Sequence, residues 1–479
     1  MQDINRIVVV GGGTAGWLTA AKLGRHFTSN QNGQVTVTLV ESPDIPTIGV
    51  GEGTWPTMRK TLAELGIGES DFINTCHASF KQGTKFVGWK DDSKEVSSYY
   101  HLFSSVTDAG DFNLSPYWLN SAKQQDYATS ISAQAAICRG KLAPKLITHR
   151  DYEGLQNYAY HLDAGKFAGL LQRHSCEKLG VKHVEANVTG VNCDNEGLIR
   201  SVETSAGTIN GDFFVDCSGF KSLLLGDNYN IPFKPVNDVL LADHAIAIQV
   251  PYEDEQADIA STTMATAQDA GWVWDIGLSN RRGTGFVYCA DYLSHDAAEQ
   301  TLREYIGPQA DKLSARRIKM QCGYREKFWH KNCVAVGLSA AFIEPLEASA
   351  IFLVEAAANM LCEQFPRHKK LLPAVSEQFN QSFSFRWQKS IEFIKLHYLL
   401  SSRTAPFWQA NRQHETVPDS LLEKLERWRY QPVSRYDFAH VFEPFPQDSY
   451  QFVLYGMGYE QHTALSVSSF NQHQRATHY

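Results

Sequence analysis

Arg6 to Val10 is a short β-branched run that predicts a strand, and it ends in Gly11-Gly12-Gly13-Thr14-Ala15-Gly16. Apolar residues then recur at helical spacing, at Trp17, Leu18, Ala20, Ala21 and Leu23. Gln34 to Val40 reads as a second strand that closes on Glu41. Further on, Phe167 to Leu179 reads as a helix, and Gly180-Val181 starts a strand. "DFFVDCSGF" (212–220) is a buried strand, and "NCVAVGLSAAFIEPLEAS" (332–349) is a strand, a tight turn and the start of a helix. "GWVWDIGL" (271–278) predicts a strand that points Trp272 and Trp274, two apart, to one face. Residues 351–364 and 373–400 read as helices, followed by polar and aromatic loops to Tyr479.

The first five features occur in the order strand, glycine turn, helix, strand, acid. That order and spacing match a dinucleotide-binding βαβ unit. Gly11, Gly13 and Gly16 would let the backbone approach a pyrophosphate. Thr14 and Ala15 open the helix whose N–H groups would face it, and Glu41 would accept from a ribose hydroxyl. The expected fold class is α/β: a Rossmann-like module over residues 1–350, built from separate stretches. It carries an inserted substrate-side segment at about 90–150 and is followed by a mainly helical subdomain over 351–479. "VDCSG" is similar to a strand end near the first βα turn of many flavoproteins, and "VAVGLSAAFIEP" resembles the late flavin-binding strand of flavin monooxygenases; that resemblance favours FAD over NAD and implies Gly337 and Leu338 at the flavin. No second GxGxxG occurs, so the flavin would be reduced by another protein.

Composition narrows the picture by exclusion. The 479 residues suit two or three modules, and 43% hydrophobic residues allow a large interior. A net charge of −8 argues against a nucleic-acid binder. Nine cysteines without a CxxC pair, and no room for a signal peptide ahead of the first strand, lead to the expectation of reduced thiols and a cytoplasmic location. The longest apolar helix candidate, Ile351 to Cys362, is too short to span a bilayer and contains Glu355. The 17 histidines form no metal-ligand spacing, so no metal is expected.

Six stretches together resemble the flavin-dependent tryptophan halogenase family: "GGGTAGW" (11–17), "IGVGEGTWPTM" (48–58), "SFKQGTKFVGW" (79–89), "GWVWDIGL" (271–278), "GLSAAFIEPLEASAI" (337–351) and "FIKLHYLLSSRTAPFW" (393–408). Two stretches depart from the family pattern. Gly277 stands where the WxWxIP signature has proline. Ala348-Ser349-Ala350 stands where Ser-Thr-Gly is common.

The resemblance implies an enzyme that uses reduced FAD, O2 and chloride or bromide. A separate NAD(P)H-dependent flavin reductase would supply the reduced flavin. Hypohalous acid would reach Lys81, which the family motif selects over Lys85 and Lys90, and a small indole-like arene such as tryptophan would then be halogenated. Glu347 would assist as the second catalytic residue, with Glu344 a rival by position. Gly49 and Val50 would lie over the flavin, and Ser349 and Ala350 would bind the halide. His101, Phe103, Tyr450 and Tyr455 would touch substrate, and Trp272 and Trp274 would wall off the flavin. The family also implies a homodimer. Two other classes share the FAD module: a flavin-dependent monooxygenase or epoxidase, which needs no lysine, and a non-catalytic FAD-binding protein.

Overall fold

The structure is a computed structural model that describes residues 3–29, 35–45, 51–93, 95–105, 113–121, 125–254, 256–438 and 440–462. Gly49 and Val50 lie outside the described residues. The chain forms two compact units, each assembled from three stretches. Residues 1–78, 162–236 and 321–385 make the first, and residues 79–161, 237–320 and 386–479 make the second.

The first unit is built on a six-stranded sheet. Its order is Trp329–His330, Cys333–Ala335, Phe213–Asp216, Arg6–Val10, Thr36–Glu41 and Lys182–Glu185. All neighbours are parallel except the outermost pair, Trp329–His330 with Cys333–Ala335. Parallel strands are covered on both faces, which is why Ile7 through Val10 are all buried rather than alternating. The helix Thr14–Ser29 follows the first strand and packs against the helices Ala164–Lys178 and Ser349–Glu363. This is the βαβ order read from the sequence, with both expected strands and the helix in place.

The second unit is built on a seven-stranded sheet. Its order is Ala315–Lys319, His244–Pro251, Arg281–Tyr288, Gly271–Gly277, Thr263–Gln268, Gly83–Val87 and Ser98–Leu102. The helix His295–Ile306 covers one face, where Ile246, Ile248, Val273 and Phe286 pack with Ala298 and Leu302. Alternation along the strand then sends Trp272 and Trp274 to the other face. Both indoles are buried, with ring centroids 6.4 Å apart.

The sheet makes room for these rings by keeping their neighbours small. Trp272 sits between Ala267 and Val287, and Trp274 between Ala265 and Gly285. A Cβ at Gly285 would lie 2.1 Å from the Trp274 ring.

One expectation fails near the C-terminus. The loops anticipated after residue 400 contain the helices Asp419–Tyr430 and Gln447–Gly456. Leu421, Leu425 and Trp428 recur at helical spacing and form the buried face of the first. The same period was present in the sequence, diluted by the charged residues between.

Candidate active site

The glycine turn of the first unit divides its labour among three positions. Gly11 has φ +115°, and a Cβ there would lie 2.1 Å from Cys217 O; its N–H continues the sheet by donating to Val40 O at 2.8 Å. A Cβ on Gly16 would lie 1.8 Å from Gly11 O, so the helix can approach the strand end only because Gly16 lacks one. Gly13 is different: a Cβ there would meet nothing within 4 Å. Gly13, Thr14 and Ala15 are partly exposed at the opening of the helix. This is a tight turn, an open approach and a close packing contact, the three roles a pyrophosphate cradle requires.

Glu41 lies at the end of the next strand and accepts from Trp17 Nε1 at 3.3 Å. His183 Nε2 is 3.2 Å from the same carboxylate oxygen. A Cβ on Gly12 would be 2.1 Å from the Glu41 carboxyl carbon, so the acid lies directly over the turn. Gly337, at φ +75°, has its missing Cβ position 2.6 Å from Ala15 Cβ, which brings the 337–339 turn and Leu338 beside the start of the helix. These residues fit a dinucleotide such as FAD.

The second feature of this unit is the turn that opens the helix Ser349–Glu363. Glu347 and Glu344 are both buried, so burial does not separate the two carboxylates. Ala348 adopts φ 52° and ψ 39°, the left-handed region, and the helix starts at the next residue. The Ala348 N–H is already committed, donating to Pro345 O at 3.0 Å. The amides of Ser349 and Ala350, the two expected at the halide, open the helix and have no intrahelical acceptor. Ser349 is buried and Ala350 exposed.

Sequence reasoning missed the neighbours of this turn. Trp55 Nε1 donates to Glu347 O at 2.9 Å. Thr57 and Thr61 donate to Glu355 at 3.0 and 2.6 Å. Burial pushes Glu355 up to about 7, although these hydroxyls pull the other way. A single acid inside an otherwise apolar helix was the available signal, since such a group needs partners.

In the second unit, the strand Ser79–Lys81 pairs antiparallel with residues 159–161. Lys81 is 2% exposed, whereas Lys85 is half-buried and Lys90 exposed. Lysine is rarely this buried. Its ammonium lies 5.2 Å from the centre of the Phe103 ring, which brings two of the expected site residues together.

His161 faces Ser79 across the pair and so shares a face with Lys81. Complete burial, and secondly the charge of Lys81, hold His161 well below the usual imidazole range. Its Nε2 is 2.9 Å from Thr263 Oγ1. Ser79 Oγ donates to Gly277 O, tying the strand of Lys81 to the end of the tryptophan strand at the position of the missing proline. Nothing in the sequence marked His161 or Ser79.

The aromatic residues expected at the substrate are placed less uniformly. His101 is buried, 3.0 Å through Nε2 from Ser449 Oγ, with its ring against Phe393. Tyr450 joins the same cluster through Phe393 and is fully buried. Tyr455 packs against Tyr127 and donates to Gln461 at 3.3 Å. Phe103 is partly exposed.

Comparison with known proteins agrees with this organisation. The family model described as tryptophan halogenase matches residues 6–470. The crystal structure of a tryptophan halogenase from Shewanella frigidimarina superposes with a TM-score of 0.97 at 42% identity, covering 100% of this chain and 93% of that one. The tryptophan 6-halogenase SttH of Streptomyces toxytricini is 35% identical over 95% of this chain and 90% of its own length. BrvH, a flavin-dependent halogenase from Brevundimonas, has a TM-score of 0.87 at 32% identity, covering 99% of this chain and 94% of that one. With the glycine cradle, the buried lysine and the paired tryptophans in place, the chain belongs to the tryptophan halogenase family.

Proposed function

We propose that the protein is a two-component, FAD-dependent halogenase that places chloride or bromide on tryptophan or a related indole. The observation that carries this reading is Lys81, the one buried lysine of the three rivals, beside Phe103 in a family that matches almost the whole chain.

Gly11, Gly13 and Gly16 with Glu41 would hold the FAD, and Gly337 and Leu338 would line its approach. The reduced flavin, supplied by a separate NAD(P)H-dependent reductase, provides with O2 the oxidising power that turns halide into hypohalous acid. The backbone N–H groups of Ser349 and Ala350 hold the halide, so the change from the common Ser-Thr-Gly leaves the donors intact. Lys81 receives the hypohalous acid, by hydrogen bond or as a haloamine, and directs the electrophilic halogen to one ring carbon. Glu347 stabilises the cationic ring and accepts its proton. Trp272 and Trp274 contribute bulk that keeps the arene from the flavin.

The test is a product assay with FAD, a flavin reductase, NADH, O2 and either bromide or chloride. Tryptophan and indole are offered as substrates and products are read by mass spectrometry. The expected result is a halogenated product that disappears in Lys81→Ala while FAD binding is retained. A product heavier by one oxygen, formed equally well by Lys81→Ala, refutes the halogenase reading.

A further inference from the structure

The peptide unit joining Glu347 to Ala348 is hydrogen-bonded on both sides. Its carbonyl accepts from Trp55 Nε1 at 2.9 Å, and its N–H donates to Pro345 O at 3.0 Å. Ala348 holds φ 52°. A residue with a Cβ keeps that conformation only where surrounding contacts over-determine it. The N–H contact is local to the turn, whereas Trp55 reaches it from outside.

Trp55 is itself fixed. Its ring stacks on Phe352, with centroids 4.2 Å apart and an interplanar angle of 18°. The Met58 N–H donates to its carbonyl at 3.0 Å. Farther along, Thr57 and Thr61 hold Glu355 of the helix Ser349–Glu363. The segment from Trp55 to Thr61 thus grips this helix at a ring and a carboxylate, and the turn before it at a carbonyl. Of these contacts, only the Trp55 hydrogen bond reaches the turn.

We infer that Trp55 is a positioning residue for the reaction: its indole N–H locks the Glu347–Ala348 peptide so that the Glu347 side chain is aimed and the Ser349 and Ala350 amides are presented to halide. This rests on the role of that turn proposed above. Trp55 forms and breaks no bond in the reaction and acts only through the turn. Without its donor the peptide plane can rotate, Ala348 leaves the left-handed region, and the carboxylate and the amides lose their alignment together.

Trp55→Phe removes the donor and keeps a ring to stack on Phe352. In the FAD-loaded enzyme, with bromide and tryptophan as probes, KM for bromide is expected to rise about fivefold, the worth of one hydrogen bond. KM for tryptophan should stay unchanged. In the flavin-free protein, hydrogen exchange should quicken at the Ala348 amide, which donates to Pro345 O, with little change in melting temperature. Adding Ala348→Gly, which holds φ 52° without a Cβ, should restore much of the bromide KM.

The inference is overturned if exchange at the Ala348 amide is unmoved. It is also overturned if bromide and tryptophan KM rise together with a loss of melting temperature. Faster exchange with an unmoved bromide KM, in both Trp55→Phe and Ala350→Val, would instead overturn the halide role of the turn, and this inference with it.

Discussion

Two glycines of one motif should fail in opposite ways. Gly16→Ala puts a methyl carbon 1.8 Å from Gly11 O, a backbone atom that cannot swing aside. The helix Thr14–Ser29 or the end of the strand Arg6–Val10 must shift by more than an ångström. Overpacking of this kind costs about 1–3 kcal/mol, and alanine's better helix propensity returns at most about 1 kcal/mol of it. Gly13→Ala meets no atom within 4 Å, and its φ is not in the left-handed range. The flavin-free protein should therefore be stable to within about 0.5 kcal/mol of wild type.

In the proposed FAD site the same methyl would stand against the pyrophosphate. Losing a hydrogen bond to a charged group is worth about 1.5–3 kcal/mol, a weakening of FAD binding of roughly 10- to 100-fold. Thermal unfolding without FAD, and a fluorescence titration with FAD, separate the two effects. The reasoning is refuted if Gly13→Ala lowers the flavin-free melting temperature as much as Gly16→Ala does, or if it binds FAD with unchanged affinity.

Two further predictions concern stability. Glu355 ionises near 7 in the folded chain against an ordinary 4.5, so its contribution to stability is full below pH 4.5 and is lost as pH rises through 7. Glu355→Gln should match wild type at pH 4 and exceed it at pH 8 by up to about 3 kcal/mol, at 1.36 kcal/mol per pKa unit; chemical unfolding curves that stay parallel at both pH values would refute this. Gly285→Ala should destabilise by about 1–3 kcal/mol, because its Cβ would lie 2.1 Å from the Trp274 ring. On a Trp274→Val background the same substitution should be nearly neutral in thermal unfolding, and equal losses on both backgrounds would exclude the contact as the cause.

The sequence by itself determined the local pieces whose signal is local. The glycine turn, the helix after it and Glu41 at the next strand end were readable because spacing along the chain dictates that geometry. Trp272 and Trp274 on one face followed from strand alternation alone. The helix start at Ser349 was legible too. The helices Asp419–Tyr430 and Gln447–Gly456 were not: charged residues separate the apolar positions of the first, and the second is buried on nearly all sides and so shows no one-sided period.

Tertiary structure decided what depends on residues far apart in the chain. Composition and spacing do not separate Lys81 from Lys85 and Lys90; the family resemblance selects the first, and packing is what buries it. Small neighbours on two other strands, Ala265 and Gly285, make the space for Trp274. The Trp55 N–H reaches Glu347 O across 292 positions, and Thr61 reaches Glu355 across 294. A hydrogen bond is a short-range, directional interaction, so whether two such groups meet is settled by where the fold places their backbones.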